Sequence, residues 1–96
     1  MSHADYKFSI TMQSDDLAVI NCMRSLSQYS QKSGNNRIPW GGTKDPDWKR
    51  AGNSVTFRFT TTGFRSRFVA ECHRLLPPAL WSVVRENNND PARPQT

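Results

Sequence analysis

The hydrophobic pattern changes from strand-like to helical within one continuous stretch, residues 54–76. Val55, Phe57 and Phe59 alternate with polar residues, which is the period of a strand with one buried face. After Gly63 the apolar residues recur at helical spacing, at Phe64, Phe68, Cys72, Leu75 and Leu76. This stretch therefore predicts one strand that is followed directly by one amphipathic helix.

The N-terminal part of the chain shows the same order of strand and helix. Alternation predicts the first strand over Asp5–Gln13, and a one-sided apolar pattern predicts a helix from about Asp15 to Ser33. Ser14 is expected to cap that helix, with Asp15 and Asp16 in its first turn, where the helix dipole favours negative charge. We therefore interpret the two acids as helix-start residues rather than paired catalytic carboxylates.

Three further segments complete the predicted domain. Arg37–Trp40 predicts a short strand, and Pro39 places it at a sheet edge because proline has no N–H to donate to a neighbouring strand. Gly41–Asn53 is expected to be a long polar connection, since it is rich in turn residues. Pro77-Pro78 ends the second helix, and Leu80–Arg85 predicts the fourth strand.

The resulting order of strand, helix, strand, strand, helix, strand resembles the ferredoxin-like arrangement. Right-handed connections then give a four-stranded antiparallel sheet with both helices on one face and the first and third strands in the centre. We expect this α+β domain at residues 5–85, a flexible N-terminus at residues 1–4 and a disordered polar tail at residues 86–96. The predicted core consists of Phe8, Ile10, Ile20, Met23, Val55, Phe57, Phe59, Phe68 and Leu75.

The face that carries the aromatic residues decides between families with this arrangement. The segment Arg50–Phe59 faintly resembles the third-strand motif of RNA-recognition-motif domains, which stack bases on aromatic side chains of the open sheet face. Strand parity instead turns Phe57 and Phe59 towards the helices and leaves a polar open face that includes Arg58. Acylphosphatases bind phosphate with an arginine in the loop after the first strand, whereas Met12–Asp16 has two acids and no arginine. Neither family fits these residues.

Positive charge is concentrated in the middle of this 96-residue chain. The formal net charge is +5 and the pI is about 9.8. Residues 37–74 hold eight of the 13 basic residues but three of the eight acids, so the whole excess lies there. Such a concentration favours an anionic partner such as nucleic acid or phosphate, although a modest positive charge also serves simply to keep a small domain soluble.

Two places bring basic residues together. The polar connection carries Trp48 among basic residues, and its indole would stack on bases if exposed, or cover the sheet edge if folded back. Arg65 and Arg67 lie in the first turn of the second helix, where the helix dipole disfavours cations. Free backbone N–H groups are expected at the same helix end, and the combination of these groups with two arginines predicts an anion site. The predicted nucleic-acid or anion-binding residues are Lys44, Trp48, Lys49, Arg50, Arg58, Arg65 and Arg67.

The sequence offers no constellation for catalysis or metal binding. His3 and His73 are the only histidines, and no spacing of cysteine and histidine matches a zinc site. Cys22 and Cys72 lie on apolar helical sides, where we expect reduced core thiols. Because no such constellation is present, we expect no enzymatic activity and no cofactor. Neither a transmembrane run nor a signal peptide is recognisable, so we expect a cytoplasmic protein with no membrane partner.

These patterns support two functional hypotheses. The first is a small non-enzymatic binding module for RNA or DNA, or for another anionic partner, through the basic loop and the start of the second helix. The second is a protein–protein interaction or regulatory adaptor domain that uses an edge strand, with Trp40 and Trp48 as apolar anchors. In either case we expect a monomer or a weak dimer. Salt separates the hypotheses because phosphate contacts weaken steeply as salt rises, whereas apolar contacts do not.

Overall fold

The computed structural model describes residues 5–31, 45–50 and 52–91 of this chain. These residues form a small α+β domain with a three-stranded antiparallel sheet. In chain order the elements are β1 (Phe8–Gln13), α1 (Leu17–Ser30), α2 (Asp45–Arg50), β2 (Ser54–Phe59), α3 (Thr62–Leu75), a short 3₁₀ turn (Pro78–Leu80) and β3 (Ser82–Asn87).

β1 is the central strand of the sheet, antiparallel to β2 on one side and to β3 on the other. Its register with β2 is regular, with Ile10 opposite Phe57. Its register with β3 shifts between Thr11 and Met12, which is the effect of one extra residue in β3, a β-bulge. Because both outer strands are antiparallel to β1, they run parallel to each other, and α3 connects them across the central strand.

The sheet of the described residues has three strands, whereas the sequence predicted four. β1, β2 and β3 correspond to the first, third and fourth predicted strands, and the first is central as expected. The predicted second strand, Arg37–Trp40, lies outside the described residues, as do the N-terminal residues 1–4. The α+β class is therefore confirmed, whereas the ferredoxin-like arrangement is not confirmed. Within the predicted polar connection, Asp45–Arg50 forms α2.

Side-chain caps set the starts of the two long helices. Asp16, not Ser14, is the N-cap of α1, and its carboxylate accepts a hydrogen bond of 2.9 Å from the N–H of Ala18. Ser14 is buried, and its hydroxyl donates instead to the carbonyl of Leu80 at 2.6 Å. Thr61 caps α3 by accepting from the N–H of Phe64 at 3.0 Å. The first predicted helix thus begins later than its acids suggested, at Leu17, because the carboxylate of Asp16 rather than the hydroxyl of Ser14 caps its first turn.

One face of the sheet forms the core, as the alternation predicted. Phe57 and Phe59 are fully buried, with ring centroids 4.8 Å and 5.3 Å from that of Phe68 on α3. Two predicted core positions are wrong: Phe8 is half-buried and Leu75 is 48% exposed. Because adjacent residues at the end of a helix point in different directions, the packing of the neighbouring leucine against the core turns Leu75 outwards. The buried hydrophobic cluster consists of Ile10, Met12, Val19, Ile20, Met23, Leu26, Trp48, Val55, Phe57, Phe59, Phe68, Cys72 and Trp81.

The last described residues contact the sheet. β3 begins at Ser82 and continues to Asn87, two residues beyond the predicted end of the fourth strand. The N–H of Asp90 then donates to the carbonyl of Lys7 at 2.8 Å. Part of the predicted polar tail is therefore structured, because its polar groups find partners at the N-terminal end of β1. Residues 92–96 lie outside the described residues.

Candidate anion-binding surface

The predicted basic loop presents fewer binding groups than its sequence suggested. Trp48 is only 4% exposed, and its Nε1–H donates to the carbonyl of Ser14 at 3.1 Å. It therefore packs into the hydrophobic core of the domain and offers no surface on which a base could stack. Lys49 and Arg50 are exposed in the last turn of α2. Lys44 lies outside the described residues.

Arg65 is a structural residue, contrary to the exposed position expected for it. The residue is 9% exposed, and its Nη1 donates to the carbonyls of Ser9 and Asn87, both at 3.2 Å. A carboxylate oxygen of Glu86 lies 4.0 Å from its Nη2. The long side chain of arginine allows its guanidinium to bridge main-chain groups of β1 and β3 while its stem stays packed. The cation thus ties α3 to two strands.

Arg67 also contacts its own chain, at a different place. The residue is exposed, and its Nη2 donates to the hydroxyl of Tyr29 on α1 at 3.2 Å, with the guanidinium 5.2 Å from the centre of the ring. The two arginines are thus engaged with different groups, and the Thr61 hydroxyl already accepts from one N–H of the first turn of α3. The two arginines that were predicted to form an anion site therefore do not converge at the start of α3 in the structure.

The second face of the sheet is polar and includes two arginines on its outer strands. We call this the open face and define it by Ser9 and Thr11 of β1, Thr56 and Arg58 of β2, and Arg85 of β3, from register and alternation. The hydroxyls of Thr11 and Thr56 are 2.8 Å apart. Arg85 is exposed and Arg58 is half-buried. The central strand of this face is covered, with Ser9 2% and Thr11 4% exposed, so the accessible groups of the open face lie on its outer strands.

Arg58 binds a carboxylate in the structure. Its Nε donates to the main-chain carbonyl of Asp90 at 2.9 Å, and its Nη2 lies 3.2 Å and 3.3 Å from the two carboxylate oxygens of the same residue. The side chains are 27% and 32% exposed. Asp90 itself is fixed by the hydrogen bond from its N–H to the carbonyl of Lys7. One nitrogen of the guanidinium thus meets both carboxylate oxygens while Nε meets the main chain, so Arg58 is engaged with Asp90 through its side chain and its backbone.

Sequence reasoning found Arg58 but missed its neighbours. Strand parity was sufficient to place Arg58 on the open face, because β2 alternates without interruption. Arg85 required the register of β3, and the bulge in that strand hides its face from a simple alternation count. Asp90 carried no signal at all, since its contact with Arg58 spans 32 residues and lies in a segment predicted as disordered.

β3 is an edge strand with apolar residues on its surface. All six of its residues are exposed, with Val83 at 44% and Val84 at 54%. Among the described residues β3 pairs with β1 alone, so its outer backbone edge faces away from the sheet. Nearby strands or peptides can add to such an edge, although the bulge and the charged residues Arg85 and Glu86 are features that limit indiscriminate pairing.

The Cys72 thiol is buried in the hydrophobic core. Burial, reinforced by Cys22 and Glu71, raises the pKa of the Cys72 thiol to about 12, which disfavours the reactive thiolate. Both cysteines are free. The ring of His73 lies 4.9 Å from that of Trp81, between centroids, rather than serving the adjacent cysteine. This geometry does not support cysteine nucleophile chemistry.

The described residues hold neither a candidate metal centre nor a membrane-spanning helix. No group of three or more His, Cys, Asp or Glu side chains in ranges 5–31, 45–50 and 52–91 is arranged to hold a metal ion. Within the same ranges, none of the helices has the length and apolar character needed to cross a membrane. No protein-family model, curated protein or solved structure matches this chain significantly.

Proposed function

We propose that this protein is a non-enzymatic binding module for an anionic partner, and that the partner is a single-stranded nucleic acid held by its phosphates on the open face. The observation that carries the proposal is the contact between Arg58 and Asp90, in which the open face already binds an oxyanion. The partner is expected to use Arg58 and Arg85, with Lys7 exposed at the same end of β1. The binding surface thus moves from the loop and helix start to the sheet.

The spacing of the two arginines supports contact with successive phosphates. Arg58 lies opposite Ser9 and Arg85 lies opposite Thr11, so β1 separates them and they are offset by two residues along it. Strand spacing and rise per residue then put their Cα atoms about 12 Å apart. The long arginine side chains can bring their guanidinium groups closer together than that. The remaining separation suits two phosphates of an extended nucleic-acid backbone better than one isolated phosphate.

Charge supports the same partner. The formal net charge of the whole chain is +5. The ion pair of Arg58 with Asp90 and that of Arg74 with Glu71 each remove one cation and one anion from the balance. They leave the excess unchanged, and Lys49 adds an exposed positive charge on α2. A surplus of this kind attracts polyanions and makes their binding sensitive to salt.

A fluorescent oligo(dT) of about 12 nucleotides, a length within the usual range of single-strand sites, tests the proposal at about 50 mM salt. Arg85→Ala should weaken binding by about tenfold, the value of one charged contact. Arg74→Ala is the matched control, because it also removes one positive charge but sits on α3, paired with Glu71 at 2.7 Å. Equal losses from both substitutions, or no binding by the wild type, would contradict the proposal.

A protein partner is the second candidate, favoured by the exposed edge of β3. An extended peptide would add to that edge through main-chain hydrogen bonds, with Val83 and Val84 supplying apolar contact. Binding of this kind would be nearly indifferent to salt. Val84→Lys should abolish it without weakening oligo(dT) binding, because a charge on an edge strand blocks strand addition and a positive charge beside Arg85 does not oppose phosphate contacts. Wild-type pull-down of a partner that survives high salt and is lost with Val84→Lys would favour this candidate.

Two finer expectations stay predictions. We propose that Arg37–Trp40 pairs with the outer edge of β2 and completes a ferredoxin-like sheet, since Pro39 suits an edge strand. Slow amide exchange at Ile38 would support this pairing, and exchange at the rate of an unstructured peptide would contradict it. A cytoplasmic location is the second expectation, and cell fractionation tests it.

A further inference from the structure

We propose that the segment 88–91 acts as an intramolecular competitor that occupies the anion site at Arg58 and leaves when the phosphate partner binds. This inference rests on the proposed function and adds its regulation. It follows from the way in which the chain holds Asp90, which is bound both by its side chain and by its main chain. A surface ion pair alone would need only the side chain.

The contacts of Asp90 have the form of a ligand in a site. Its carboxylate and its carbonyl both accept from Arg58, while its N–H donates to the carbonyl of Lys7. The guanidinium presents five N–H donors in a fixed plane, a geometry that fits phosphate as well as carboxylate. A phosphate group could therefore replace the aspartate at Arg58 with little rearrangement of the sheet.

The segment is held weakly enough to exchange. Asn88 and Asn89 are exposed, and no apolar residue lies between Asn87 and Pro91 to anchor the chain in the core. The N–H of Asn89 donates to the side chain of Asn87 at 2.8 Å, a local turn that needs no contact with the sheet. The ion pair of Arg58 with Asp90, which is partly exposed, contributes little free energy, and the occupied form otherwise rests on the hydrogen bonds of Asp90 to Arg58 and Lys7. The occupied form should therefore outweigh the open form by a modest factor, and the apparent affinity for the partner falls by that factor.

The substitution Asp90→Asn tests the competition with the oligo(dT) probe. It removes the carboxylate charge and keeps the size of the side chain, so binding should become about three- to tenfold tighter. Glu71→Gln is the matched control, because it removes one negative charge that is paired with Arg74 away from the open face. The control should change affinity by less than about twofold at moderate salt. Adding Arg58→Ala to Asp90→Asn should cancel the gain.

The outcomes separate this inference from the proposed function. If the wild type binds oligo(dT) through Arg85 but Asp90→Asn gives no gain over Glu71→Gln, the competition is refuted and the proposed function stands. If neither protein binds, both proposals fail. In the wild type, the amide signals of Asn88, Asn89 and Asp90 should move towards random-coil values on titration with the probe. Signals that stay unchanged at saturation would refute displacement even if the affinity of the variant rises.

Discussion

Replacing Arg65 tests whether the guanidinium is a structural tie, as its contacts indicate. Arg65→Met keeps the apolar stem and removes two hydrogen bonds of 3.2 Å from a side chain that is 11% exposed. Hydrogen bonds that involve a charged group contribute about 1.5–3 kcal/mol each, but the two share one nitrogen and methionine recovers some packing. The glutamate at 4.0 Å is half-exposed and adds little. We expect the free energy of unfolding to fall by about 2–3 kcal/mol.

Arg67→Met is the matched control for this experiment. It removes the same charge two residues away, but Arg67 is exposed and loses only its contact with Tyr29, worth about 0.5–1 kcal/mol. Urea unfolding of the wild type and both variants, at one pH and with equal m-values, gives the two differences directly. Similar small losses for both substitutions, within about 0.5 kcal/mol, would refute the structural role of Arg65.

Two further predictions concern the core. Phe59→Ala should lower the free energy of unfolding by about 3–5 kcal/mol, because it leaves a cavity beside Phe68. Leu75→Ala, at the exposed end of α3, should lower it by less than about 1 kcal/mol. A loss below about 1 kcal/mol for Phe59→Ala would mean that the ring is not buried. Burial raises the pKa of the Cys72 thiol from 9.0 to about 12, so the unfolded chain loses this proton first. The free energy of unfolding of the wild type should therefore decline between these pH values. The decline should exceed that of Cys72→Ala by up to about 1.4 kcal/mol per pH unit. Urea unfolding at a series of pH values measures both profiles, and parallel profiles would contradict the prediction.

Periodicity was sufficient for the parts of the fold that depend on local pattern. The alternation of Val55, Phe57 and Phe59 identified both β2 and its buried face, and the helical spacing around Phe68 identified α3. Such patterns work because each side chain's face is fixed by the geometry of its own element. Element ends were less accurate, since both Ser14 and Asp16 could cap α1 and the structure uses Asp16.

The candidate site depended on contacts between distant parts of the chain, and there the sequence misled. Arg65 meets the carbonyl of Ser9 across 56 residues, and Trp48 meets that of Ser14 across 34. Arg65 fits the polar pattern of its own segment and was expected at the surface, whereas the sequence left open whether Trp48 is exposed or folded back. Long amphipathic side chains take their partners from tertiary structure, and single-chain periodicity does not reveal them.

Chemical-shift mapping tests most directly whether the anionic partner binds on the open face. A ¹⁵N-labelled protein titrated with oligo(dT) at low salt should show its largest amide shifts at Thr56, Arg58 and Arg85, fading as salt rises. Shifts confined to Lys49 and the rest of α2, or to the start of α3, would contradict binding on the open face. A spectrum that does not change at all would exclude the nucleic-acid partner.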